Sequence, residues 1–127
     1  MHRMEGSHFY LGRITDASRF SSFLAEHYGE DESRPVSEFY GSQGEFFCDH
    51  DFMETGLRQP GTSLEEFFAP HSYSDKWSEA LCEAARAATL GDANALIFIN
   101  CEQIKSPRSV QGEGFELVYI GMFEYPI

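Results

Sequence analysis

Ala95-Leu-Ile-Phe-Ile-Asn-Cys101, followed after a polar interval by Phe115-Glu-Leu-Val-Tyr-Ile-Gly-Met-Phe-Glu-Tyr125, is the stretch whose reading decides the fold. The first run is apolar on both alternations until Asn100, which is the pattern of a central strand covered on at least one face. The second run is longer and rich in β-branched and aromatic residues, so it reads as the last strand. Between them Glu102–Gly114 carries Ser, Pro and Gly and reads as a long turn. The two strands then pair most simply antiparallel, as a hairpin with a long loop. An antiparallel sheet is therefore the frame into which the rest of the chain has to fit.

Upstream of that pair, Ser72 or Ser74 to about Leu90 predicts the clearest helix. Trp77, Ala80, Leu81, Ala84, Ala85 and Ala88 form its apolar stripe, and Gly91 stands where a C-terminal cap is wanted. The segment from Ser63 to Phe68 predicts a short helix with a capping box between Ser63 and Glu66, ended before Pro70. At the other end of the chain Met1–Ser7 is expected to fray, and His8–Ile14 reads as a strand with Gly12 at a bulge or a close approach. Thr15 or Asp16 can then cap a helix carrying Phe20, Phe23 and Leu24 and ended by Gly29. The expectation is a single α+β domain over residues 8–127, a mainly antiparallel sheet of about four strands with helices packed on one face.

The least ordinary stretch is Ser37–Gly56, SEFYGSQGEFFCDHDFMETG, at whose start Ser37 can cap a turn or so of helix before Gly41 and Gly44 interrupt it. Phe39, Tyr40, Phe46, Phe47 and Phe52 call for burial, yet Glu38, Glu45, Asp49, Asp51 and Glu54 are threaded between them. An isolated ionised carboxylate is too costly to bury, so the rings are expected to turn into a core, with Glu45–Cys48 as a second strand, and the acids to stand out as a ridge. Such a ridge is a binding surface or a metal site. The metal reading is weak: on a strand His50 points away from Asp49 and Asp51, and on a helix Asp49 drifts from Asp51 and Glu54. The calcium-loop pattern also fails, because Met53 and Glu54 stand where it requires an acid or amide and a glycine. No cofactor or metal is expected. The alternatives are an unrelated intracellular interaction domain and a small hydrolase or metal-binding enzyme built on these carboxylates and His50. The enzyme is disfavoured, since no nucleophile elbow or phosphate-binding loop is present and Cys48, in an apolar and acidic setting, is expected to have a raised pKa. The spacings of Cys48, Cys82 and Cys101 match no zinc or redox motif, so they read as reduced.

Net charge is −12, and its distribution says more than its size. Between Glu26 and Glu66 eleven acids face only Arg34 and Arg58, which accounts for −9 of the total. That field repels phosphate backbones, excludes direct nucleic-acid binding, and steers a basic protein towards this half. The contact is therefore expected over Glu30, Asp31, Glu32, Glu38, Tyr40, Glu45, Asp49, Asp51 and Glu54, with Tyr28, Tyr40 and Phe68 as exposed rings, rather than over Glu102, Glu113 and Glu116. The alternative role for Asp49 and Asp51 is to cap the turns around Phe52. With no signal peptide and no apolar run of membrane-spanning length, a cytoplasmic protein without membrane contact is expected.

The order of these features resembles the immunity protein 22 family of bacterial polymorphic toxin systems. The residues that carry the likeness are Leu11-Gly12, Ser37 and Phe39, the core Asp49-x-Asp51-Phe52-x-Glu54, Ser72-Tyr73-Ser74 at a helix start, and Ile120-Gly121-x-Phe123-x-Tyr125. The resemblance spans roughly His8–Tyr125. It implies a small cytoplasmic α+β protein, made by the toxin-producing cell, that binds a cognate toxin and blocks it without catalysis.

Overall fold

The computed structural model describes residues 3–29 and 33–127. Among these residues five antiparallel strands form one sheet: β1 (Met4–Ile14), β2 (Met53–Leu57), β3 (Ala95–Asn100), β4 (Val110–Gly112) and β5 (Phe115–Pro126), in the spatial order β2-β3-β1-β5-β4. Four α-helices flank it: α1 (Ala17–Leu24), α2 (Glu38–Ser42), α3 (Leu64–Phe68) and α4 (Ser74–Ala87). The α+β class and the antiparallel pairing are as expected. The strand count is five rather than four because the polar interval before β5 contains β4, which folds back on Phe115–Leu117.

β3 and β5 are not a hairpin, because β1 lies between them and pairs with both. The physical reason lies in β1 itself. Phe9 and Leu11 point to one face and Tyr10 to the other, and all three are fully buried. A strand buried on both faces and long enough to pair on both edges is stabilised at the centre, where Ser7–Gly12 have a neighbour on each side. Order also begins earlier than His8: Met4–Ser7 belong to the strand, and the Ser7 hydroxyl is hydrogen-bonded to that of Tyr125 at 2.9 Å.

Helices cover both faces of the sheet rather than one. On one side α3 and α4 pack Leu64, Phe67, Phe68, Trp77 and Leu81 against Phe9, Leu11, Leu96 and Phe98. On the other, α1 and α2 pack Phe20, Phe23, Phe39 and Tyr40 against Tyr10, Ile97, Ile99 and Phe115. The run Ala95–Ile99 of β3, apolar on both alternations, required this, since each alternation needs its own cover.

The local signals are mostly obeyed. Asp16 caps α1, Ser37 caps α2, and Ser63 and Glu66 form the capping box of α3. Two helix ends differ. α1 stops at Leu24, well before Gly29. α4 ends in a Schellman arrangement, Leu90 N–H to Ala85 and Thr89 N–H to Arg86, in which Thr89 and not Gly91 takes the left-handed position at φ 58°. The Arg13 guanidinium donates to the Thr89 carbonyl, which helps to hold that residue.

Candidate binding surface

Glu45–Cys48 is not a strand. Ser37 starts α2, whose Phe39 and Tyr40 enter the core, and the chain then leaves the interior through Gly44 at φ 79°. From there it runs irregularly past Cys101–Gln103, a short 3-10 turn after β3. Glu45 accepts the Lys105 N–H at 3.1 Å, and the Gln103 side-chain oxygen accepts the Asp49 N–H at 2.8 Å. Only Cys48 turns inward. Burial first, then Glu45 and Glu26, pushes its thiol up to about 12, which keeps it protonated and unreactive.

The rings on either side of Cys48 stay outside. Phe46, Phe47 and Phe52 are 48, 50 and 52% exposed, contrary to the expectation that they turn into the core. Three half-exposed phenylalanines thus lie within one acidic segment. Conversely, the rings expected outside are mostly inside. Tyr40 and Phe68 are buried, which removes both as surface anchors, whereas Tyr28 is 67% exposed. The Tyr40 hydroxyl donates to Glu26 at 2.5 Å, and burial followed by that bond drives its pKa far up.

The carboxylates divide by role. Asp49 caps the 3-10 turn His50–Phe52 by accepting the Asp51 N–H at 3.0 Å, two residues on, which is the capping alternative raised for it. Asp51 itself projects into solvent, its side chain 81% exposed and 3.6 Å from the His50 ring. Glu54, on β2, accepts from His71 Nδ1 at 3.1 Å and from the Ser72 N–H at 3.2 Å, tying β2 to the start of α4. Burial raises its pKa, but the bonds from Ser72 and His71 outweigh burial and hold the carboxyl below its ordinary value. Gly56 permits this contact, because a Cβ there would meet the His71 ring at 2.6 Å. Glu38 forms a two-pronged ion pair with Arg19 at 2.9 and 3.1 Å. Glu30, Asp31 and Glu32 lie outside the described residues. Asp49, Asp51 and Glu54 thus do not converge on one point, and among the described residues no three His, Cys, Asp or Glu side chains group as metal ligands.

A sequence model of the immunity protein 22 family matches residues 8–126. The chain belongs to that family. No curated protein and no solved structure matches it. Membership supports a toxin-neutralising role and a toxin as the partner. Within the Asp-x-Asp-Phe-x-Glu core the side chains fall into two settings. Asp49 and Glu54 hold the shape of the segment, and Asp51 and Phe52 are what it presents. Among the described residues no helix is long and apolar enough to cross a membrane.

Residues distant in sequence join this surface. Glu102 and Gln103 line the same depression of about 340 Å³ as Phe52, Met4 and Glu5. Glu102 therefore belongs beside the ridge, whereas Glu116 is the register partner of Arg13 at the far end of β1 and lies 3.8 Å from its guanidinium. Halves of the sequence are not halves of the molecule. Tyr73, 47% exposed and at φ 58°, was also missed; its only sequence signal was its place in the Ser72-Tyr73-Ser74 helix start.

Proposed function

We propose that this chain neutralises a cognate toxin by direct, non-catalytic binding through the segment Glu45–Glu54 and its neighbours. The observation that carries the reading is the exposure of Phe46, Phe47 and Phe52 among carboxylates. Such a surface supplies ring anchors for affinity and a negative field for approach, the two features that fast, tight protein complexes combine. Its partner is a basic protein, consistent with a nuclease, since eleven acids against two bases occupy Glu26–Glu66. The same field opposes contact with nucleic acid. Binding takes place in the cytoplasm of the producing cell. Glu45 and Asp51 contribute directly, Asp49 and Glu54 through the shape they impose, and Glu30, Asp31 and Glu32 through long-range attraction. Glu38 contributes less, its charge being met by Arg19.

The test is the association rate with the product of the adjacent toxin gene as salt is raised from about 0.05 M to about 0.5 M. The Debye length falls from roughly 14 Å to roughly 4 Å, so association is expected to slow at least about tenfold while dissociation changes little. A salt-independent rate, or the absence of a complex, overturns the reading.

A further inference from the structure

Next to the ridge, where β2 and the start of α4 meet, lies an aromatic-walled depression of about 160 Å³. It is lined by Phe52, Tyr73, Phe98 and Tyr125 together with Glu5, Asp51, Glu54 and residues Met53 and Ser72. We propose that it receives one arginine side chain of the protein partner. The inference rests on the toxin-binding reading and deepens it.

Size comes first. Pockets for small-molecule ligands run about 300–1,000 Å³, so this one suits a single side chain rather than a metabolite. The walls come next. Tyr73 and Tyr125 have ring centroids 6.0 Å apart at 36°, and Phe52 and Tyr73 each keep about half of their surface open. Faces of that kind attract a flat, weakly hydrated cation, and guanidinium stacks on them where ammonium does not. Charge settles the occupant. Three carboxylates line the depression and no Lys or Arg does. Glu54 is already held ionised by His71 and Ser72, Glu5 accepts from the Asn100 amide at 3.2 Å, and Asp51 is exposed. A guanidinium offers five donors in a fork that matches carboxylate geometry.

The walls are also rigid. Tyr73 is held left-handed because its neighbours are tied on three sides. Ser72 donates its N–H to Glu54, the Ser72 carbonyl accepts from the Trp77 indole at 2.9 Å, and the Ser74 hydroxyl donates to Ala69 at 2.8 Å. A site formed before its ligand arrives spends little affinity on ordering itself.

The experiment is an amide-resolved NMR titration of the intact chain with N-acetylarginine amide, alongside N-acetylcitrulline amide, its neutral isostere. The expected result is saturable shifts at Phe52, Glu54, Ser72, Tyr73 and Tyr125, with citrulline at least about tenfold weaker because charge-assisted bonds are lost. Asp51→Asn and Phe52→Ala, both at exposed positions, should each weaken arginine binding several-fold without altering the melting curve. Equal binding of citrulline, shifts confined to other acidic positions, or no saturable shift overturns the site. Because the titration omits the toxin, its failure alongside a salt-sensitive toxin complex refutes the arginine pocket and leaves the toxin-binding reading standing.

Discussion

Phe39 and Tyr40 sit in the interior, whereas Phe46, Phe47 and Phe52, further along the same acidic stretch, stand half in water. The residue types are alike, so the difference lies in what the neighbouring acids do. Beside the buried rings, Glu38 is paired with Arg19, and Glu26 accepts the Tyr40 hydroxyl and lies 2.9 Å from His50. Beside the exposed rings, Asp51 lies 3.6 Å from the His50 ring, while Asp49 and Glu45 accept from backbone N–H groups. Sinking Phe46, Phe47 or Phe52 would drag such carboxylates toward low dielectric without a compensating cation, at a cost greater than burial of a ring returns. The rings beside Glu38 and Glu26 are core and those beside Asp51 are surface, while Glu54, two residues from Phe52, is paired across to the start of α4 through His71 and Ser72.

The sharpest way to break this comparison is to truncate one ring from each region. Phe39→Ala should cost about 3–5 kcal/mol in chemical denaturation, as core phenylalanines do, and Phe52→Ala no more than about 0.5 kcal/mol. Similar losses for the two would show that the exposed region is as structural as the buried one. Binding should behave in the opposite sense. A Phe46→Ala/Phe47→Ala/Phe52→Ala triple should lose at least about 2 kcal/mol of toxin affinity by calorimetry, roughly 30-fold, with its circular dichroism unchanged.

A smaller effect probes the link between the regions. Tyr40→Phe removes the hydroxyl that Glu26 accepts, and should cost about 1.5–3 kcal/mol of stability, the usual range for a hydrogen bond to a charged group. A neutral outcome would mean that water replaces the bond. The smallest effect is at Glu54, whose folded pKa is depressed. Its stabilising contribution is complete above the unfolded carboxylate value of about 4.3 and is lost as pH falls through the lower folded value. Wild type should therefore be more stable than Glu54→Gln at neutral pH, with the gap closing below about pH 4. A gap that persists at lower pH would assign the effect to shape rather than to charge.

Much of the local structure was legible because it depends on neighbours in sequence. Asp16, Ser37 and Ser63 begin helices, Trp77 starts an apolar stripe that meets the sheet, and Asp49 bonds to its own turn. The candidate site was legible in part: the Asp49–Glu54 core drew attention to the segment, but which of its rings would be outside did not follow from their polarity. Tyr40 and Phe52 have the same claim to burial on composition, and their fates differ through Glu26 and Arg19, which lie outside the stretch.

By itself the sequence determined the α+β class, the antiparallel pairing, the helix starts and the concentration of negative charge, because propensity, capping and net charge are properties of short segments. Only the tertiary structure decided that β1 separates β3 from β5, that helices cover both faces, and that Glu102, Glu5 and Tyr125 stand around Phe52. Strand order and shared surfaces depend on how each buried face finds a cover, which is a competition among segments distant in the chain.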